Sequence, residues 1–244
     1  MAGLDRPPCS TSSMSEKKHR KIAMSDESDR AAALELFSLP PETEARLAIY
    51  AELLHKWQKV INLVAPSTLS QLWTRHFADS LQVQAAAPAA RLWADLGSGG
   101  GFPGLVTAIS LAEVPGAKVH LIESDQRKCA FLREVSRETH APAIVHQGRI
   151  EDILPKLDEL IEAVSARALA PLPILLGYAG DLLEKGAVGL FLKGEHLADE
   201  LTDSNPPGTF AKYDFSAIRS ATSPSARLLV VRHRIVSPRV NIAF

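Results

Sequence analysis

Five glycines fall within ten residues, in the run Asp95-Leu96-Gly97-Ser98-Gly99-Gly100-Gly101-Phe102-Pro103-Gly104. The run follows a short apolar stretch, Arg91 to Leu96, and precedes an apolar helical stretch, Leu105 to Leu111. Strand, glycine loop and helix in this order leave few folds open. Glycine takes positive φ in a tight turn and lets backbone approach a neighbour closely. The first turn of the following helix offers N–H groups with no partner inside the helix. Such a loop at the carboxyl end of a strand is a nucleotide or nucleoside pocket of an α/β protein. The plain alternative is a structural loop that holds no ligand.

The rest of the chain fits that frame. Further strands are expected at Val119–Ile122, Ala143–His146, Ala163–Ala168 and Val188–Leu192. Helical stretches lie between them, at Gln126–Thr139, Pro171–Leu183 and His196–Asp203. This alternation predicts a mostly parallel, Rossmann-like sheet with helices on both faces. After Pro206 and Pro207, Lys212–Ile218 and Ala226–Ile235 read as two strands with no helix between them. An antiparallel strand near the C-terminal end is therefore expected. Upstream, Leu47, Tyr50, Leu54, Trp57, Ile61 and Val64 recur at steps of three and four, predicting a helix from Glu44 to Val64 that Pro66 ends. A third helical stretch, Leu69 to about Ala87, carries Leu72, Trp73, Phe77 and Leu81. The expected divisions are a tail over 1–28, a helical cap over 29–90 and an α/β domain over 91–244. The tail is rich in Ser, Lys and Pro and contains the basic run Lys17 to Lys21, which reads first as a solvated segment.

Composition narrows the function. Lys plus Arg total 27 against 28 Asp plus Glu, a net charge of −1, which argues against indiscriminate coating of nucleic acid. The charge is uneven, however. Ser216 to Phe244 carries five arginines (Arg219, Arg227, Arg232, Arg234, Arg239) and no acid, so a local RNA-docking patch stays open. Cys9 and Cys129 are far apart and form no CxxC, which suggests a reducing compartment and no metal framework. The longest uncharged stretch, Leu96 to Ala112, is broken by glycines and a proline, so no membrane span is expected. A cytoplasmic location follows as an expectation.

Two cofactor classes compete for the loop. Gly99, Gly101 and Gly104 formally fit GxGxxG, the dinucleotide fingerprint of NAD(P)-dependent oxidoreductases. Asp95, Gly97, Gly99 and Gly101 instead fit acid-x-Gly-x-Gly-x-Gly, the first motif of class I S-adenosylmethionine-dependent methyltransferases. An Asp at the end of a buried strand needs a partner. A cationic sulfonium ligand with an amino group gives it one, whereas a pyrophosphate does not. Glu123, 26 residues after Gly97, ends the second strand, where a carboxylate can accept both ribose hydroxyls in either class. Gly148-Arg149-Ile150-Glu151-Asp152 follows the third strand and would lie beside the adenine, although Glu151 and Asp152 equally suit a helix N-terminus.

Several stretches together resemble one family. His55-Lys56-Trp57, Asn62-Leu63 and Arg75-His76-Phe77-Ala78-Asp79-Ser80 resemble its cap, and Asp95–Gly104 its cofactor loop. Lys128–Arg133, Ser165–Ala168 and Leu192-Lys193-Gly194 also fit. The family is the bacterial 16S ribosomal RNA guanine-N7 methyltransferases, also called glucose-inhibited division protein B. The resemblance implies the class I methyltransferase fold, S-adenosylmethionine as donor, and a guanosine in the decoding-region loop of small-subunit rRNA as acceptor. The RNA would be free or within a 30S particle, and the enzyme a monomer. The implied cofactor contacts are Gly97, Phe102, Glu123, Ile150, Glu151 and Arg167. Arg75, His76, Asp79 and Ser80 match the cap motif over the pocket mouth, and Lys193 matches the lysine ending strand five. Glu162 and Ala166 depart from the family's usual Asp and Ser.

Guanine N7 carries an exposed lone pair, so no general base is needed, and His76 reads as a packed or positioning residue. Arg167 and Arg149 are the expected RNA-side groups, able to read guanine O6 or clamp a phosphate. Arg75 and Lys193 complete the expected substrate side. Trp57, Trp73 and Phe77 could stack on bases, but their helical spacing favours the core. Three other readings remain: a dehydrogenase, a non-catalytic rRNA-binding assembly factor, and a small-molecule or DNA methyltransferase, for which the lack of an Asn/Asp-Pro-Pro-Tyr/Phe motif at strand four disfavours amino-group acceptors.

Overall fold

The computed structural model describes residues 27–202 and 210–234. Seven strands form one sheet: β1 (Leu92–Leu96), β2 (Lys118–Glu123), β3 (Ala143–Gln147), β4 (Ala163–Arg167), β5 (Val188–Lys193), β6 (Tyr213–Arg219) and β7 (Arg227–His233). Their order is β3-β2-β1-β4-β5-β7-β6. The first five pair in parallel, and β7 runs antiparallel to both β5 and β6. The single antiparallel strand is thus β7. The strand order reverses between β1 and β4, and in open α/β sheets ligands bind outside the carboxyl ends of the strands at such a switch.

The helices are α1 (27–36), α2 (Pro41–Trp57), α3 (Ala78–Ala85), α4 (Gly104–Ser110), α5 (Gln126–Thr139), α6 (Ile150–Ile153), α7 (Leu172–Glu184) and α8 (Leu197–Thr202). One face of the sheet buries Leu47, Tyr50 and Leu54 of α2 together with Leu105 of α4 and Phe131 of α5. The other buries Leu172, Leu175 and Leu183 of α7 with Phe191 of β5. The N-terminal helices therefore share the core of one sheet face. α5 shows how sequence sets an element here. Asp125 caps it by accepting from the backbone N–H groups of Arg127 and Lys128, and His140 ends it in the left-handed conformation at φ 51°.

Two helical expectations change. The stretch from Glu44 ends as a helix at Trp57, not Val64. Beyond it the Gln58 side chain accepts from the backbone N–H groups of Leu63 and Val64 and donates to the Val64 carbonyl, which stabilises a turn. Ile61 and Val64 still reach the core from that turn, so the periodicity outlasts the helix. The stretch from Leu69 is split into a 3₁₀ turn (Pro66–Gln71), a π-helical turn (Leu72–Phe77) and α3. Wide π turns are frequent at functional sites, and this one carries Arg75 and His76. The expected tail lies outside the described residues except for 27 and 28, which open α1; Arg239 also lies outside them. No described helix is long and apolar enough to cross a membrane.

Candidate functional site

The glycine loop leaves β1 with Gly97 and Gly99 at φ +64° and +55°. Both line a cavity of about 370 Å³ at the carboxyl ends of β1 and β2. Of the expected cofactor contacts, Phe102, Glu123, Ile150, Glu151 and Arg167 line it as well. Gly101 does not line it. The space a Cβ would need there, 2.5 Å from the Tyr50 hydroxyl and 2.7 Å from Leu105, is taken by protein. The Tyr50 hydroxyl donates to the Gly100 carbonyl, so α2 clamps the loop from behind.

Asp95 does not line the cavity either. It is 1% exposed and lies beneath the loop. Its Oδ1 accepts from the Ser165 hydroxyl at 2.6 Å, while Oδ2 is buried with no hydrogen-bond partner. Burial pushes its carboxyl up to about 6, with the Ser165 hydrogen bond opposing. Oδ2 sits where a Cβ on Gly104 would come within 2.5 Å of it, so only glycine fits at 104. The expectation that Asp95 would face a cationic ligand is therefore corrected. Its partner is Ser165, one strand away on β4.

Glu123 lines the cavity. It ends β2, and its Oε2 accepts from Gly99 N–H and its Oε1 from Asp125 N–H, both at 2.8 Å. Each oxygen keeps a lone pair for a ligand hydroxyl. Ile122, Ile150 and Leu169 give the cavity apolar walls. Lys128, Ser124 and Tyr178 also line it. Lys128 belongs to a stretch that carries the family resemblance, whereas Ser124 and Tyr178 carry no signal of their own, because they reach the cavity from a turn and from the far helix α7.

A second cavity, of about 680 Å³, shares Arg167, Leu63, Ala168 and Leu169 with the first. Arg75, Lys193 and His76 line it, and Arg149 does not. Arg149, expected beside Arg167 on the RNA side, is exposed at the first cavity instead, because it precedes α6 at the end of β3. Arg75 is exposed. Lys193 is 8% exposed, and its ammonium donates to Glu200 Oε2 at 2.5 Å and to the Ala170 carbonyl at 3.0 Å. Those two contacts anchor Lys193 in the cavity wall.

Arg167 stands where the two cavities meet. Its guanidinium lies 4.8 Å from the centre of the Phe102 ring, a cation–π contact, and its Nη2 meets His76 Nδ1 at 2.6 Å. A guanidinium only donates, so His76 Nδ1 accepts, and the ring proton is assigned to Nε2, which faces Thr68 Oγ1 at 2.8 Å. Burial, with Arg167 and Arg75 adding to it, pushes His76 down to about 3. The imidazole is neutral near pH 7 and positions Arg167. Trp73 and Phe77 are buried in the core, and Trp57 is half-buried with its Nε1 donating to Glu134 at 2.8 Å. All three pack rather than face a base.

A family model described as GidB, rRNA small subunit methyltransferase G, matches residues 43–229. The chain belongs to this family. It is 54% identical over 185 residues to the ribosomal RNA small subunit methyltransferase G of Nitrobacter winogradskyi, covering 76% of this chain and 67% of that one. The protein of the same name from Parvibaculum lavamentivorans is 51% identical over 198 residues, covering 81% and 86%. Among solved structures, the O-methyltransferase TomG from Streptomyces achromogenes, in complex with SAM, superposes with a TM-score of 0.56 at 18% identity, covering 84% and 94%. At that identity the likeness shows the fold: the class I methyltransferase arrangement. This GidB-family chain keeps a use for one of its departures. Glu162 Oε2 accepts from the backbone N–H groups of Arg91 and Leu92, which holds β1 beside β4 and keeps the carboxyl below its ordinary value. Ala166 is buried in apolar surroundings.

Proposed function

We propose that this chain transfers a methyl group from S-adenosylmethionine to N7 of a guanine in small-subunit ribosomal RNA. One observation carries the reading: a nucleoside-sized cavity bearing a strand-end carboxylate meets a larger cavity along a wall of Leu63, Arg167, Ala168 and Leu169. The residues present fit the donor. Glu123 offers lone pairs to a ribose, Ile122, Ile150 and Leu169 offer an apolar wall to adenine, and the Gly97–Gly99 backbone lies open to the remainder. Asp95 does not line this cavity, so the second acid that faces it is Glu151.

The guanine N7 lone pair forms the new N–C bond as the donor's carbon–sulfur bond breaks, and the positive charge passes from sulfur to the purine. No proton leaves N7, so the chain has only to hold and orient. Arg167, held by His76 and Phe102, would donate to guanine O6 from the wall that the two cavities share. Arg75 is placed to meet phosphate at the mouth of the larger cavity. Small-subunit rRNA, free or within a 30S particle, as the substrate, action as a monomer and a cytoplasmic location complete the proposal.

Mass-spectrometric mapping of N7-methylguanosine in small-subunit rRNA, with and without the gene, tests the reading. Loss of one modified guanosine in the deletion is expected. An unchanged map refutes the enzyme and leaves an assembly factor. Calorimetry should show binding of S-adenosylhomocysteine and none of NAD, and the reverse result would revive the dehydrogenase reading.

A further inference from the structure

Asp79, in the cap motif, has a role left to assign. It is 8% exposed, lines the larger cavity, and does not line the cofactor cavity. Its Oδ1 accepts from the Ser220 hydroxyl at 2.8 Å and from the Thr222 hydroxyl. Ser220 Oγ in turn accepts from the backbone N–H groups of Thr222 and Ser223. The loop between β6 and β7 is thereby latched to α3, where Gln82 holds it a second time through the Arg219 carbonyl and the Ala221 N–H. Among the described residues Oδ2 of Asp79 has no hydrogen-bond partner, and it is not among the enclosed unpaired atoms. One oxygen of a nine-tenths-buried carboxylate is therefore held by two hydroxyls, while the other has no hydrogen-bond partner among the described residues, in a side chain that lines the larger cavity.

We infer that Asp79 Oδ2 accepts the N1–H of the target guanine, selecting guanine and strengthening its hold as the methyl group arrives. The inference rests on the methyltransferase reading above. Along a guanine edge the order is N7, O6, N1–H. In the molecule Arg167 lines both cavities, while Asp79 lines the larger one alone. An arginine matches the O6 acceptor and a carboxylate matches the N1–H donor. Adenine presents an acceptor at N1 and would set lone pair against lone pair. N7 methylation makes the ring cationic and N1–H more acidic. The hydrogen bond to the carboxylate therefore grows stronger from ground state to transition state, which is the condition for it to accelerate the reaction.

D79N separates this role from a purely structural latch. The amide oxygen can still accept from Ser220 and Thr222, but the amide nitrogen presents donors to the N1–H. The expected result is a kcat on small-subunit rRNA at least tenfold lower, with S-adenosylhomocysteine affinity and Tm close to wild type. The S220A/T222V double variant keeps the carboxylate but unlocks it, and should lose less. A latch alone predicts the opposite order, with D79N near wild type and the double variant impaired. A second measurement needs no variant. Wild-type enzyme is given RNA carrying 1-methylguanosine at the mapped target position, and methyl transfer should fall at least tenfold. D79N within threefold of wild type, or full activity on the 1-methylguanosine RNA, overturns the inference while the methyltransferase reading stands. A wild-type enzyme that methylates no small-subunit guanine overturns that reading instead.

Discussion

Asp95 and Glu123 lie near the carboxyl ends of neighbouring parallel strands, yet they do different work. Glu123 lines the cofactor cavity and holds Gly99 and Asp125 through their backbone N–H groups. Asp95 lies under the loop, bonded to Ser165, with its second oxygen against Gly104. Residue type and strand position alone do not separate a ligand-binding acid from a structural one. The difference lies in which layer each side chain enters: Glu123 is the last residue of β2 and leaves the sheet edge, while Asp95 is one residue short of the end of β1.

The contrast can be broken most severely at Gly104. G104A forces a Cβ to within 2.5 Å of both Asp95 Oδ2 and Leu121, and should cost about 3 kcal/mol or more in a urea melt. Retained stability would show that Asp95 is not clamped there. D95N comes next and carries a sign. The Asp95 carboxyl is raised from 3.8 to about 6, so the fold favours its protonated form. That stabilisation is present below pH 4 and is lost as the pH rises through 6, which leaves an ionisation cost of about 3 kcal/mol at pH 8. D95N stays neutral, so its Tm should exceed wild type at pH 8 and match it near pH 4. A Tm lowered at pH 8 would show that the ionised carboxylate stabilises the fold instead.

E123Q should do the reverse. S-adenosylhomocysteine affinity by calorimetry should weaken about 30-fold, equivalent to about 2 kcal/mol, with a smaller change in Tm. The smallest expected effect is at the wall between the cavities. H76L removes the acceptor for Arg167 and should lower kcat/KM about tenfold, whereas H76N, whose Oδ1 can take the place of Nδ1, should stay within threefold. Because His76 sits near pH 3, below its ordinary value, neither wild type nor H76N should show a histidine inflection between pH 6 and 8. An inflection that H76N abolishes would restore His76 as a titrating group.

The strand pattern, the glycine loop and Glu123 were legible in the sequence because each is local. Alternation marks a strand, glycines mark a turn, and an acid ending a buried strand marks itself. What stayed hidden depends on residues far apart in the chain. Ser165 meets Asp95 across 70 positions, Tyr50 meets Gly100 across 50, and Asp79 meets Thr222 across 143. The apolar periodicity of Glu44–Val64 runs past the helix end at Trp57 because a turn can bury residues at helical spacing. Gln58 closes that turn with side-chain bonds that leave no periodic trace.

The strand order has a consequence for synthesis. β7 comes after β6 in the chain but lies between β5 and β6 in the sheet. As the chain leaves the ribosome, the donor side has all its strands once β4 emerges. The acceptor side must wait for β7 to slot in and carry the 220–226 loop onto Asp79. A chain halted after β5 would lack both the strand that pairs with β5 and the loop that holds Asp79, so the wall of the larger cavity is the last part of the molecule to be completed.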